Sequence, residues 1–430
     1  MSAVVNIDYF ENLKEHYGTW PELKAFLTSK HIRVVEPAVL SSEPEYLQGN
    51  LAVLSYVKGK TDLSEVSQTS MDFFRSVVWD TVDNRPVCVA PLKAVDGQPP
   101  LHTQFTSVQD FVDGVMLNVF VTAKEPSVLR LATRTHLGGM NSFYSKKTFG
   151  EMFTECLTAT PVRTKDMLLM HMREVLTTTN STAVFASFVL QHPDHRIVAK
   201  VESPDLNLVH LGTVNASGTV QVMEQAPEWP SALRRLQIPT YPVKMFTNEE
   251  EVKQLMRRTA VQNGFRWQGL VFKDGTGSRW RIRSTGYTTL RSLRGGEAKS
   301  VDRFLRLRKD GEVVEYLKHY SEDRKEFWDY ETLLRARTND LLTAYNAVHK
   351  GHTMKFAELP AGYKPGVHLL HVEYLSVLRE QKLKVGLGNA IKIVNGLKEF
   401  EQVRLIGTEA FVPPVVPVAV SEEQKAEPQA

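Results

Sequence analysis

The residues best suited to chemistry in this 430-residue chain are basic, and they are bunched. Between Arg279 and Lys309 stand ten Lys/Arg and only two acidic residues, Glu297 and Asp302, with Trp280 and Tyr287 interleaved. Arginine keeps its charge at any working pH and offers a planar fork of donors, so such a stretch suits phosphate; an aromatic face among the charges suits an unstacked base. The same pattern fits a solvated strand-to-helix junction whose arginines pair with the acidic run at 322–331. The two readings weigh equally, and an arginine-rich segment also suits an acidic protein partner. His192-Pro-Asp-His195 brings two imidazoles three residues apart. No Cys or His at a recognised metal-site spacing accompanies them, so a strand-connecting turn is expected rather than a metal site. Gly386-Leu-Gly388-Asn lacks the rest of a phosphate-loop pattern, and Asp274-Gly-Thr-Gly277 reads as a turn joining two strands.

Positioning these groups falls to strands in the first two-thirds of the chain. Leu13, Trp20, Leu23 and Phe26 have helix-like spacing, and Leu51–Val57 reads as a buried strand ending at the Lys58-Gly59 turn. From Phe73 to about Tyr287 strand signals dominate: Ser76–Asp80, Arg85–Ala90, Val115–Val121, Val128–Thr133, Phe188–Leu190, Arg196–Val201 and Gly269–Phe272. Helices are expected at Thr148–Cys156 and at Asn248–Asn263, the latter with Asn248 and Glu251 as a capping box. This irregular order implies an α+β domain rather than a βαβ array. After it, residues 297–405 carry apolar residues at three- and four-residue spacing, as in Val314–Leu317 and Phe327–Leu342, the signature of a helical C-terminal domain. The expected organisation is an N-terminal α/β region at 1–70, a domain at 71–296, a helical domain at 297–411 and a disordered Pro-rich, acidic tail at 412–430.

Composition restricts the function classes. A net charge of +3 does not by itself mark a nucleic-acid binder. No apolar run approaches the roughly 20 residues of a membrane span, and the N-terminus lacks the basic and apolar regions of a secretion signal. Two cysteines, Cys88 and Cys156, make no disulfide framework. A reducing, cytoplasmic compartment and no membrane partner are the expectation.

Several segments occur in an order that resembles the nucleotidyltransferase domain of phage RNA ligases of the T4 type. Arg75-Ser-Val-Val-Trp-Asp80 followed by Pro86-Val-Cys-Val-Ala is similar to the family's Arg-Gly-hydrophobic strand. Phe111-Val112-Asp113-Gly114 stands where the Lys-x-Asp-Gly nucleophile motif belongs. Thr133-Arg134-Thr135 with Gly138-Gly139 resembles the following Ser-Lys-Gly segment. Phe188-Val-Leu and Arg196-Ile197-Val198 resemble the Phe-Glu-Phe strand and its Asn-Arg-Ile-Val ending. Gln268-Gly269-Leu-Val-Phe resembles Glu-Gly-hydrophobic-Val, and Arg281-Ile-Arg283-Ser284 with Tyr287 resembles Lys-Ile-Lys-Ser and its tyrosine. The resemblance covers about half the chain. Its strongest members are Asp-Gly, Arg-Ile-Val and basic-Ile-basic-Ser.

The departures bear most directly on function. Covalent nucleotidyl transfer needs a lysine amine to attack the α-phosphate, carboxylates for metal and ribose, and basic groups for the phosphates. Phe111 stands in the lysine position, Val189 in the first carboxylate position and Gln268 in the second. Arg281 and Arg283 keep the charge of the last pair but cannot shuttle a proton. Lys93 precedes Asp96-Gly97 by one residue too many to rebuild the motif, and Lys124 has no Asp-Gly partner.

The resemblance therefore implies an RNA-ligase-like fold without catalytic residues and without a metal site. The remnant pocket is expected at Lys93, Phe111, Asp113, Gly114, Val189 and Gln268. Arg75, Arg134, Arg281, Arg283, Arg291 and Arg294 are expected to contact phosphate or nucleic acid. The expected function is a nucleic-acid-binding or scaffolding module, with RNA or DNA or the proteins of an assembly as partner, and with no cofactor. Two alternatives stay open: an active RNA ligase with a displaced lysine, which needs ATP and Mg, and a structural component of a virion or other large complex.

Overall fold

The computed structural model describes residues 4–36, 50–63, 71–97, 99, 105–159, 164–223, 238, 249–274 and 277–414. The chain divides into two compact units, Met1–Arg294 and Gly295–Ala430. The first is α+β and the second is helical.

In the first unit the described strands form three sheets. Six strands pair antiparallel in the order β1 (Val4–Ile7), β12 (Val220–Met223), β11 (Asp205–Val214), β10 (Ala183–Gln191), β8 (Val115–Thr122) and β9 (Arg130–Ala132). A second, antiparallel sheet runs β2 (Ile32–Val35), β3 (Leu51–Tyr56), β4 (Val77–Asp80), β5 (Arg85–Val89). The third runs β6 (Val95–Asp96), β14 (Arg279–Arg283), β13 (Gly269–Asp274), β7 (Phe105–Asp110), with β6 and β14 parallel.

Side-chain alternation decides what each face of the six-stranded sheet meets. Leu117, Val119 and Val121 of β8, with Val184 and Ala186 of β10, pack against the helices Phe149–Thr158 and Lys165–Thr178. The intervening Phe120 and Phe185 point the other way, into a core shared with the second sheet and the helices Tyr9–His16 and Trp20–Ser29. The central strands are thus buried on both faces, which explains their continuously apolar sequence. The Phe149 helix starts on a capping box: Thr148 Oγ1 accepts the Glu151 amide at 3.2 Å, and the Glu151 carboxylate accepts the Thr148 amide at 2.7 Å.

Two expectations from sequence need correction. Residues 1–70 are not a region apart: β1 pairs with β12, and β3 pairs with β4, so the described N-terminal residues belong to the first unit. Arg196–Val201 is no strand. Pro193 opens a single 3-10 turn at Pro193–His195, and the amides of Val198 and Ala199 donate to the side chain of Asp113 instead of to a ladder. The helix Glu249–Asn263 forms, but Asn248 lies outside the described residues, as does most of the tail beyond Pro414. The reading also missed the helix Lys165–Thr178 and strands β1, β7, β11 and β12. The turn at Asp274 is as expected, with Asp274 Oδ1 accepting the Ser278 amide at 2.9 Å.

The helices of the second unit are Ser300–Asp310, Val313–His319, Arg324–His349, Lys364–Glu373 continued by a π-turn to Leu378, Leu387–Gly396 and Glu399–Ile406. Gly311, at φ 74°, ends the first of them in the left-handed region. The buried rings of Tyr316, Tyr320 and Phe327 stack on one another, and buried Arg303 donates to Asp323 at 3.1 Å. No described helix is long and apolar enough to cross a membrane. Both cysteines are buried and unbridged.

Gly212 sits directly across the ladder from Phe185, and a Cβ there would lie 2.1 Å from the Phe185 ring. Phe185 is fully buried and has no room to withdraw. Gly212→Ala is expected to lower unfolding stability by about 1–3 kcal/mol, read as a fall in the urea midpoint at unchanged slope.

Candidate nucleotide-pocket remnant and arginine cleft

The segment Phe111–Gly114 carries the chain from the third sheet to the six-stranded one. The Phe111 amide donates to Gly269 O at 2.9 Å and so continues the β7–β13 ladder by one residue. Gly114 then passes beneath β10 so closely that a Cβ would meet Leu190 O at 2.4 Å. Gly269, at φ 139°, approaches β14 just as tightly, with a Cβ position 2.0 Å from Ile282 O. These two glycines hold the sheets close enough to define a small space between them.

Asp113 faces away from that space. Its Oδ2 accepts the amides of Val198 (3.0 Å) and Ala199 (3.1 Å), and its Oδ1 accepts the Tyr287 hydroxyl at 2.7 Å. Burial together with this carboxylate pushes the Tyr287 phenol well above its ordinary value. Ser284 secures the same corner: it donates to Trp267 O at 2.7 Å, accepts the Tyr287 amide at 3.2 Å, and gives its own amide to Gln268 O at 2.9 Å. Asp-Gly, Ile-Val, Gln-Gly and Arg-Ile-Arg-Ser-(x)2-Tyr, far apart in sequence, therefore meet at one junction.

Phe111 lies on the other side. Its ring sits under two guanidiniums, Arg281 at 5.9 Å and Arg283 at 5.6 Å from the centroid. Both are tied to Asp96: Arg281 bidentately at 2.6 and 2.7 Å, Arg283 at 3.4 Å. The Arg281 hydrogen bond, then the charges of Arg281, Arg283 and Lys93, hold the Asp96 carboxyl below the usual range despite partial burial. Burial and neighbouring Arg281 pull Arg283 below its ordinary value. The cavity lined by Phe111, Met116, Val189, Asn207, Val271 and Arg281 measures only about 70 Å³. Ligand pockets start at about 300 Å³, so this space is too small for a nucleotide.

The nearby carboxylates are all engaged. Asp110 accepts from Trp267 Nε1 at 3.0 Å, Asp113 from its three donors, Asp96 from its arginines. Val189, on β10 between Met116 and Asn207, contributes only methyl groups. Gln268 is buried, and Lys93 lies in the loop between β5 and β6 beside Asp96. Among the described residues no cluster of three or more His, Cys, Asp or Glu could hold a metal. These residues do not fit a metal–nucleotide complex.

A second, larger cavity of about 400 Å³ opens beside the first and shares Arg75 and Met116 with it. Arg75, Arg134 and Arg291 line it with Thr135, Ser142 and Tyr144, and no carboxylate is among its described lining residues. Arg75 donates to the carbonyls of Pro91 and Leu92, both at 3.2 Å. Burial, then the like charges of Arg279, Arg134 and Arg281, bring its pKa down to about 10. Arg134, exposed, lies 4.8 Å over the Tyr56 ring and donates to Tyr56 O at 3.3 Å. Arg291 donates to the Tyr144 hydroxyl at 3.2 Å, and Arg294 lies 4.8 Å over the Tyr144 ring. Arg279 is a cationic neighbour the sequence reading left out; its place in the basic run was the available signal.

Among solved structures the chain is similar to an archaeal ATP-dependent RNA ligase, form 2, at 13% identity and a TM-score of 0.40, over 74% of this chain and 76% of that one. No protein-family model and no curated protein matches the sequence. At that identity no residue role is carried across.

The histidine pair is a turn. His192 Nδ1 accepts the Asp194 amide at 3.1 Å, so Nε2 carries the proton it donates to Glu155 at 2.8 Å. His195 lies on the wall of the larger cavity between the rings of Tyr144 and Phe149. Burial, reinforced by Arg294 and His192, pushes its pKa down from 6.5 to about 4.

Two predictions follow from this geometry. Asp113→Ala leaves two amides and a phenol without an acceptor and is expected to cost roughly 2–4 kcal/mol of stability, against about 1 kcal/mol for Tyr287→Phe, measured by urea unfolding. For His195 the unfolded chain binds the proton first as pH falls, since its pKa there is the higher one. Stability is thus whole above about 6.5 and declines between there and about 4. The loss amounts to roughly 3 kcal/mol. His195→Gln should show a shallower fall in urea midpoint than the parent between neutral pH and pH about 4.5.

Proposed function

We propose that this chain is a nucleotidyltransferase-like module that has given up covalent chemistry and binds single-stranded nucleic acid at the cleft walled by Arg75, Arg134 and Arg291. The observation that carries the reading is the contrast between the two cavities. The space beside Phe111 is about 70 Å³ and bordered by Arg281, which Asp96 pairs, whereas the adjoining one is about 400 Å³ and cationic, with no carboxylate among its described lining residues. The like charge of Arg279, Arg134 and Arg281 around Arg75 is what a phosphate would relieve. Tyr144 and Thr135 add hydroxyl donors, and Tyr144 adds a ring for stacking. Arg281 and Arg283, engaged by Asp96, serve the cleft less directly than Arg134 and Arg291 do.

Fluorescence anisotropy with a single-stranded RNA tests this. Affinity is expected to fall steeply with salt, and Arg134→Ala with Arg291→Ala should flatten the log–log slope by about 0.7 for each phosphate contact removed. RNA binding that is absent, or that ignores both substitutions, rejects the reading. Intact mass after incubation with ATP or GTP and Mg²⁺ or Mn²⁺ is expected to stay unchanged. An added nucleoside monophosphate would instead establish the displaced-lysine ligase, with Lys93→Ala the first variant to examine.

A further inference from the structure

The second unit holds a groove that the reading of the first unit does not use. Two cavities, of about 640 and 680 Å³, share Leu305, Lys309, Asn395 and Gln402 and so form one continuous depression between the helices Ser300–Asp310, Arg324–His349, Leu387–Gly396 and Glu399–Ile406. Its floor is apolar, built on Phe304, Leu305 and Phe327. Three large apolar side chains stand at its edges with most of their surface in water: Val314 at 73%, Trp328 at 72% and Phe400 at 66% exposure. Contiguous exposure of this kind, with a tryptophan in it, characterises a surface that a partner covers.

The groove is preformed. Arg308 donates to Glu331 and to Asn395, each at 2.8 Å, and so ties three of the helices together. Buried Gln402 donates to Val394 O at 3.0 Å and Leu397 O at 3.1 Å, fixing the link between the last two helices. A partner therefore meets a surface that needs little ordering, which favours affinity.

Charge at the Trp328 end of the groove selects the partner. Among the described residues three cations, Arg308, Lys309 and Arg324, line the first cavity with one carboxylate, Glu331, already shared by Arg308 and Arg335, whereas the second cavity is balanced, with Lys309 and Lys398 against Asp302 and Glu399. The side chains of Lys309 and Arg324 make no hydrogen bond or ion pair among the described residues. We infer that this groove docks an acidic amphipathic peptide segment of a partner protein, which lays aliphatic or aromatic side chains on Phe304, Phe327 and Trp328 and sets carboxylates against Lys309 and Arg324. Helix-in-groove recognition requires this combination of apolar floor and charged rim.

The test uses the full-length chain and a displayed library of random peptides about 16 residues long. Enriched sequences are expected to be net acidic with apolar residues at three- and four-residue spacing. Binding of the synthesised peptides should weaken about tenfold or more in Trp328→Ala. In the double variant Lys309→Glu/Arg324→Glu the selection should turn to basic peptides. All three residues lie at the surface, and an unchanged thermal midpoint checks that the variants fold. Enrichment of neutral or basic peptides by the parent, or none at all, overturns the inference. So does loss of RNA affinity in Trp328→Ala, which would make the groove a base-stacking platform, or dimers that Trp328→Ala dissolves, which would make its occupant a second copy of the chain.

Discussion

The first unit is organised around one carboxylate. Asp113 accepts two backbone amides from the bend after His195 and the phenol of Tyr287. The donors come from two distant segments of the chain, and each would be left without this acceptor if the carboxylate moved. Hydrogen bonds to an ionised acceptor are about twice as strong as neutral ones, and three of them converge here. The crossing from the third sheet to the six-stranded sheet, the start of the helix Thr285–Arg294 and the segment at 196–199 are consequently held in one arrangement. Gly114 and Gly269 then let the backbones approach without a side chain between them.

That arrangement determines what can happen on the opposite side of the crossing. With the 113 side chain turned toward the bend, position 111 faces the cavity, and its ring fills space under Arg281 and Arg283. The aromatic face is a favourable neighbour for both guanidiniums, and Asp96 supplies the anion that neither would otherwise have. A compact sandwich of carboxylate, arginines and ring results. Asp96 offsets part of the charge of the two guanidiniums, and the ring occupies the space beneath them. The neighbouring cleft has no carboxylate among its described lining residues, and burial with the like charges of Arg279, Arg134 and Arg281 lowers the pKa of Arg75 there.

Much of this was legible in the residues, though unevenly. The α+β character, the change to helices near residue 297 and the helix at Phe149 follow from period and punctuation, which are local signals. The contact between Asp113, Val198 and Tyr287 was foreshadowed only by the order of short motifs, and nothing local to Asp113 distinguishes a clamp from a bend. Arg196–Val201 misled because apolar alternation reports burial, while the amides there are consumed by a side chain from 85 residues earlier. The pairing of Asp96 with Arg281 was hidden for the same reason: β6 has two residues, too few to carry a strand signal, yet its parallel bridge to β14 places the two side chains together.

The basic run from Arg279 to Lys309 shows why charge counted along a sequence cannot be converted directly into a binding surface. Its first part lies in the α+β unit and its second in the helical unit. In the helical unit the arginines are matched: Arg303 by Asp323, Arg306 by Glu297, Arg308 by Glu331. This is the junction reading, and it holds for that half. In the α+β unit Arg281 and Arg283 share one aspartate, and Arg291 joins Arg75 and Arg134 around a cavity with no carboxylate among its described lining residues. What separates the halves, among the described residues, is the supply of acid from other segments: helices rich in glutamate surround one and apolar strands surround the other. Charge along the run is therefore settled by tertiary neighbours and differs between its two parts.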